Sequence, residues 1–306
     1  MSDIQISELN FYYPKAVDAA LSSINLHIQS GQCLGLIGPN GSGKSTLLSI
    51  LSGLLTPTTG TLNFTKNKNL SLIKYIQQHV ALVPQEYAFY PQLSVSQNLQ
   101  YFVSLCGIKP SAQKIQVPLV LQQCQLDKVS HQLANTLSGG YKRRLNLAIG
   151  LLKNPSILYL DEPTVGVDPS SRAAIIALLR ELKKQGKTII YTSHLLSEVQ
   201  EICDQIIMLN KGQATQLELS QGQKVLSMAV EHTAINLWQD RFNALGLEFN
   251  LQGNSFELTL ASYNALLPIL DLIRHSPEPL HNLHYAATSL TQHYLNHVEK
   301  NDPTKH

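Results

Sequence analysis

Residues 38–46 read GPNGSGKST, and no other stretch constrains the chain as much. The run fits G-x-x-x-x-G-K-[ST], with Gly38, Gly43, Lys44 and Ser45 in the defining places. Each has a physical task. The glycines let the backbone turn its N–H groups inward as an anion nest. A helix starting near Lys44 adds its positive end to that nest. The Lys44 ammonium reaches the β- and γ-phosphates of a nucleotide, and the Ser45 hydroxyl coordinates Mg²⁺. Pro39, Asn40, Gly41, Ser42 and Thr46 complete the cradle. A compact apolar strand, Gln32–Ile37, precedes it. A helix is expected from Lys44 to about Leu54, stopped by Thr56-Pro57. The alternative is a glycine-rich turn that binds nothing; Lys-Ser in register between a strand and a helix argues against it.

A second pattern supplies the carboxylates. Ile157-Leu158-Tyr159-Leu160 is a buried strand that ends in Asp161-Glu162. Such a strand delivers its carboxyl end to a ligand crevice. Asp161 is expected beside Mg²⁺, bound through water. Glu162 is expected to face the γ-phosphate and polarise the attacking water.

Around these motifs, strands alternate with helices, the mark of a parallel α/β core. Ile4, Ile6, Leu21, Ile24, Leu26 and Ile28 alternate as short antiparallel strands. Further strands are read at Val80–Val83, Thr188–Thr192 and Gln205–Leu209, and helices at Ser170–Gln185 and Leu195–Ile202. Pro84 to Asn135 turns helical, punctuated by Pro91, Pro110 and Pro118. Lys211-Gly212 closes the core. Beyond it the order restarts as βαββαβ, then a final helix over Leu290–Lys300. This order suits a split-βαβ, ferredoxin-like unit.

Composition excludes several classes. A net charge of +2 over 306 residues gives no reason to expect a nucleic-acid partner. Cys33, Cys106, Cys124 and Cys203 form no CxxC pair, which suits a reducing cytosol. The N-terminus lacks the basic and apolar runs of a signal peptide, and no apolar run approaches the ~18–20 residues of a membrane span. A soluble chain is expected, and any membrane role must come from a partner.

Leu137-Ser138-Gly139-Gly140 lies shortly before the carboxylate strand. Together the motifs resemble the ATP-binding cassette (ABC) ATPase family, whose signature is LSGGQ. The resemblance covers roughly residues 1–215. It implies that Ser138, Gly139 and Gly140 bind the γ-phosphate of ATP held by an opposite subunit. Gln85, in LVPQE, resembles the glutamine that senses the γ-phosphate, and joins Ser45 and Asp161 as a Mg²⁺ residue. Asp168, in VGVDP, resembles the aspartate of the loop that crosses the dimer interface. His194, in YTSH, resembles the switch histidine and joins Glu162 and Lys44 as catalytic. Tyr13, in FYYP, resembles the aromatic that stacks on adenine; Tyr12 or Phe11 could serve instead.

The implied fold is a P-loop ABC ATPase core, with a parallel sheet, an antiparallel β subdomain and a helical subdomain over about 86–150. A small α+β accessory domain follows over 216–306. The implied function is an ATP-hydrolysing subunit that dimerises around two ATP and powers a membrane permease from the cytoplasmic face. Tyr141 and VGVDP depart from the commonest family pattern. Both resemble the branch serving exporters of drugs, antibiotics, polysaccharides and lipids, whose ATPase is separate from its permease. Lys142-Arg143-Arg144 also reads as a solvated helix face.

Tyr87, Phe89 and Tyr90 are expected on a docking surface for the permease, with Tyr101 and Phe102 packed inside. His275, His281, His284, His293 and His297 read as surface histidines rather than a metal site. The competing function is a soluble ABC ATPase of translation or DNA repair. A single phosphate cradle and the lack of long heptad arms count against it. Intact Glu162 and His194 count against a regulator that no longer hydrolyses ATP.

Overall fold

The computed structural model describes residues 3–65, 70–217, 224–260 and 263–287. The chain divides into two units, Met1–Glu218 and Leu219–His306. Along the first unit run β1 (Ile4–Phe11), β2 (Leu21–Ile28), β3 (Cys33–Ile37), α1 (Lys44–Leu51), β4 (Thr59–Phe64), α2 (Leu72–His79), β5 (Val80–Val83), α3 (Val95–Leu105), α4 (Pro110–Gln123), α5 (Gly139–Leu151), β6 (Ile157–Leu160), α6 (Pro169–Lys184), β7 (Thr188–Thr192), α7 (Leu196–Ile202), β8 (Gln205–Asn210) and β9 (Gln213–Leu217).

Two sheets share this unit. Strands β2-β1-β4 form an antiparallel sheet. Ile4, Ile6, Leu9 and Phe11 bury one face of β1. A register shift between Ile6 and Leu9, with Glu8 at φ 46°, keeps Leu9 on that buried face, as a bulge does. The second sheet has the order β5-β6-β7-β3-β8-β9. Its first five strands are parallel, and β9 returns antiparallel at the edge. Strands β3, β6 and β7 are buried at every residue, as parallel strands covered on both faces must be. Because these strands run the same way, the loops after β3, β5, β6 and β7 open along one edge.

Several expected boundaries move for identifiable reasons. Helix α1 stops at Leu51 rather than Leu54, because Gly53 takes a left-handed φ of 71° and its N–H bonds Ile50 O. Lys211-Gly212 does not end the core. Both residues have positive φ and turn the chain into β9, a two-residue hairpin. Pro118 lies inside α4 rather than ending a helix, whereas Pro110 opens it. Strand β4 and helix α2 carry no expectation from the sequence.

The second unit has β10 (Lys224–Val230), α8 (Ile235–Ala244), β11 (Phe249–Gln252), β12 (Ser255–Leu260), α9 (Leu267–Arg274) and β13 (Leu280–Ala287). Its sheet order is β11-β12-β10-β13, with every neighbouring pair antiparallel. Leu226, Met228, Val230, Trp238, Phe242, Phe256, Leu258 and Ile269 form a core of its own. Phe242 packs edge-on to Phe256, with ring centroids 5.2 Å apart. The expected helix Leu290–Lys300, with His293 and His297, lies outside the described residues.

Candidate nucleotide site

The loop after β3 is built so that only glycine fits at its ends. Gly38 has φ 151°, and a Cβ there would lie 2.1 Å from Leu209 O. Gly43 has φ 106°, and a Cβ there would lie 2.7 Å from Ala20 O. The loop is thus pressed against its own fold, with Gly212 N–H donating to Ser42 O at 3.1 Å. Helix α1 is anchored beneath it by Leu47, Leu48, Ile50 and Leu51, all buried. Each such side chain contributes roughly 1.5–3 kcal/mol of burial.

Lys44 is buried, and its ammonium donates to Gly38 O at 2.8 Å and Pro39 O at 3.0 Å. Burial pushes its pKa below the ordinary lysine value, and the nearby charges of Glu162 and Asp161 oppose that shift. Ser42 Oγ is buried without a hydrogen-bond partner, and Asn40 and Gly41 are exposed at the rim beside half-buried Pro39. A cradle of glycines, one buried cation and one unpaired buried hydroxyl fits a phosphate chain.

The carboxylates close the other side. Ser45 Oγ donates to Asp161 Oδ2 at 2.9 Å, joining the cradle to the end of β6. Thr192 Oγ1 donates to Asp161 Oδ1 at 2.8 Å and accepts the Glu162 N–H at 2.8 Å. Glu162 is buried and its Oε1 contacts His194 Nε2. Its φ is 48°, a left-handed conformation uncommon for a residue with a Cβ. Ser45 and Asp161 offer the oxygen ligands that a hard divalent cation takes. Tyr13, half exposed, bonds Thr46 Oγ1 through its hydroxyl at 3.0 Å and packs edge-on to Phe11 at 5.0 Å. Tyr12 is equally exposed and Phe11 is buried, which leaves Tyr12 and Tyr13 as the accessible rings.

Ser138, Gly139, Gly140 and Asp168 form a second cluster. Ser138 caps α5 by position, yet its exposed side chain makes no capping bond. A Cβ on Gly140 would strike Ser171 Oγ at 1.9 Å and approach Asp168 Oδ2 at 3.3 Å. Asp168 caps α6 by accepting the Ser171 N–H at 2.9 Å. The hydrogen bonds from Ser171 hold its carboxyl below the ordinary aspartate range.

Gln85 is exposed on the loop after β5, and that loop is clamped from behind by α5. Arg143 donates to Gln85 O and, through Nε and Nη2, to Val165 O at 3.4 and 3.3 Å. Asn146, one turn on, donates to Pro84 O at 2.9 Å and Glu86 O at 3.2 Å, and accepts the Ala88 N–H at 2.8 Å. Arg143 also stacks over Tyr87, 4.9 Å from the ring centre. Arg144 is buried over Tyr141, with bonds to Gln125. The basic run is therefore no solvated face at Arg143 and Arg144. Charge alone could not reveal this; the signal available was the apolar Leu145, Leu147 and Ala148 following on the same helix.

Tyr87, Tyr90 and Tyr101 are exposed, and Phe89 and Phe102 half-buried. Tyr101 thus differs from expectation. Val95, Leu99 and Val103 define the inward face of α3, and Tyr101 projects away from it onto Tyr90, with centroids 4.9 Å apart. In the second unit, His275 bonds Asp271 O at 2.8 Å, while His281 and His284 are exposed. Among the described residues no group of three or more His, Cys, Asp or Glu side chains could hold a metal ion.

Residues 21–165 match the family model described as ABC transporter. The chain carries an ABC transporter domain. The cassette is 38% identical over 206 residues to ABC transporter A family member 1 of Dictyostelium discoideum, covering 67% of this chain and 23% of that protein. It is 36% identical over 196 residues to the linearmycin resistance ATP-binding protein LnrL of Bacillus subtilis (strain 168), covering 63% and 62%. It is 36% identical over 192 residues to Nod factor export ATP-binding protein I of Burkholderia pseudomallei (strain 1710b), covering 63% of each. The aligned part therefore spans under two thirds of these relatives' own lengths. Among solved structures, a dimeric ATP-binding cassette in a post-hydrolysis state with ADP and Pi is 26% identical, with a TM-score of 0.62. The match covers 71% of this chain and 98% of that one. The cassette cbiO1 of Clostridium perfringens, part of the transporter complex cbiONQ, is 29% identical with a TM-score of 0.63, covering 69% and 86%.

Proposed function

We propose that the protein binds and hydrolyses ATP as one half of a cassette dimer, and powers export through a membrane permease. The observation that carries this reading is the convergence of Lys44, the Ser45–Asp161 pair and the Glu162–His194 pair around one glycine cradle. The Gly38–Thr46 loop and Lys44 hold the phosphates, and Tyr13 or Tyr12 meets the adenine. Ser45 and Asp161, with Gln85, hold Mg²⁺, which neutralises phosphate charge when bound. Glu162 draws a proton from water and His194 fixes the carboxylate that does so. Ser138, Gly139, Gly140 and Asp168 face the ATP of the second copy. The exposed Ser138 hydroxyl and the solved cassette dimer support that arrangement.

Among the described residues no helix is long and apolar enough to cross a membrane. The relative named for Nod factor export and the cassette cbiO1, part of a transporter complex, support a membrane permease as the partner, met at the cytoplasmic face where ATP is available. Tyr87, Phe89, Tyr90 and Tyr101 form its docking surface, and the second unit, which begins at Leu219 rather than at residue 216 because β9 pairs with β8, is an accessory domain. The test is Glu162→Gln. The amide keeps the shape but cannot act as a base. The variant should bind Mg-ATP, lose turnover and run as a closed dimer in sizing chromatography with Mg-ATP. Wild-type hydrolysis by this variant overturns the reading.

A further inference from the structure

Behind the Glu162–His194 pair lies a second carboxylate that the reaction as described does not use. Glu198, in the first turn of α7, is fully buried. Its Oε2 accepts three hydroxyls: Thr164 at 2.8 Å, Tyr191 at 2.6 Å and Ser193 at 2.7 Å. Its Oε1 lies 2.6 Å from Arg172 Nε, a charge contact without hydrogen-bond alignment. A buried carboxylate persists when it is paired and hydrogen-bonded in this way.

The partners are not scattered. Thr164 stands two residues after Glu162. Ser193 stands directly before His194, and its hydroxyl also accepts the Leu195 N–H at 2.9 Å, so it brackets the histidine on both sides. Arg172 sits one turn beyond Asp168 on α6, where its backbone N–H donates to Asp168 O at 2.9 Å. One buried anion thus ties together the loop carrying Glu162, the loop carrying His194 and the helix that Asp168 caps. Tyr191 differs from the other two in place: it lies in β7, three residues before His194, and its hydroxyl reaches Glu162 only through Thr164 Oγ1, at 3.1 Å.

We propose that Glu198, held by Arg172, is a positioning residue that fixes Glu162 and His194 relative to each other. Its side chain is fully buried among protein partners and acts through them. A carboxylate suits the task, since one oxygen takes three O–H donors while the other faces a cation. An amide would turn its N–H₂ toward either the guanidinium or the hydroxyls. The proposal rests on the ATP-hydrolysis reading above.

The test uses the full chain and four variants. For each, kcat, ATP affinity by titration and thermal midpoint are measured. Glu198→Gln should keep ATP affinity and lose kcat by on the order of 10- to 100-fold, since a misplacement of about 1 Å can cost about 10²-fold. Ser193→Ala and Thr164→Val each free one loop and should lower kcat with affinity intact. Tyr191→Phe removes an equally short bond to Glu198 and the contact with Thr164 but leaves Thr164 and Ser193 bonded to Glu198, so it should lower the midpoint while sparing kcat. Should Glu198→Gln fail to fold, the three hydroxyl variants carry the test. Wild-type kcat in Glu198→Gln overturns the proposal. So does a loss of kcat in all three hydroxyl variants that merely follows their loss of stability. Glu162→Gln run alongside separates the two readings. If it hydrolyses ATP normally, the assignment of the site is wrong. If it is inactive while the Glu198, Ser193 and Thr164 variants turn over normally, only the positioning role fails.

Discussion

Lys44 holds two carbonyls of its own loop while buried beside two carboxylates. Its replacement by alanine removes the only cation of the cradle. Charge-assisted hydrogen bonds are worth about 1.5–3 kcal/mol each, so losing two should weaken ATP binding by on the order of 10²-fold or more. The fold should survive, because removing the ammonium also removes the cost of burying it. Calorimetric titration of Lys44→Ala with ATP checks this; unchanged affinity in a folded variant would contradict the cradle. Arg143 is a different case at the same scale. Lysine cannot replace its planar fork, which spans the carbonyls of Gln85 and Val165. Arg143→Lys should therefore be destabilised by about 1.5–3 kcal/mol, the worth of one hydrogen bond to a charged group. Urea unfolding measures the difference, and a midpoint equal to wild type would show the guanidinium to be idle.

Helix α5 does two jobs along its length. Its N-terminus presents Ser138, Gly139 and Gly140, and its next turns clamp the Gln85 loop through Arg143 and Asn146. Asn146→Ala should release the loop, and hydrogen exchange reports it directly. The Ala88 amide, bonded to Asn146 Oδ1, should lose its protection while amides of the buried strand β6 keep theirs. Equal protection at Ala88 in both proteins would mean that the loop is held by other contacts. Helix α6 gives a pH prediction. Its capping carboxyl, Asp168, has a pKa below the ordinary value of 3.8, chiefly through hydrogen bonds from Ser171. A depressed folded pKa adds stability above the unfolded value, and that stability is lost as pH falls through the folded one. Asp168→Asn keeps a capping acceptor without the titration. It should therefore lose less stability than wild type between about pH 4 and pH 2, as thermal midpoints measured across that range would show. Identical acid limbs would remove Asp168 from the balance.

For the whole molecule, the second unit has a separate sheet and a separate aromatic core around Trp238 and Phe242. None of the residues assigned to the phosphates belongs to it. Truncation after residue 218 should leave ATP affinity within a few-fold of wild type and change the ATP-dependent dimer, read by sedimentation. A truncated protein that folds but no longer binds ATP would place part of the site beyond that boundary.

The glycine loop between a strand and a helix was legible because local covalent constraint makes it so. Glycine spacing, Lys44 and Ser45 need only a strand before them and a helix after them. The apolar runs Ile157–Leu160 and Thr188–Thr192 were legible for a similar reason, since strands buried on both faces are apolar at nearly every position. The order of the second unit's elements also followed from its apolar periods. What the periods could not carry was the partner of each polar group. Arg143, Arg144 and Glu198 look like surface charges in one dimension, and only packing buries them and supplies carbonyls, hydroxyls and a counter-charge from distant segments. Strand β9 escaped for a related reason: an exposed edge strand of mixed polarity has no pattern of its own and exists because β8 offers it hydrogen bonds. Residue types and local spacing thus determined the glycine loop, its lysine and the strand that ends in carboxylates. The tertiary structure decided how its loops are held, because desolvation and hydrogen-bond partnership depend on which segments meet.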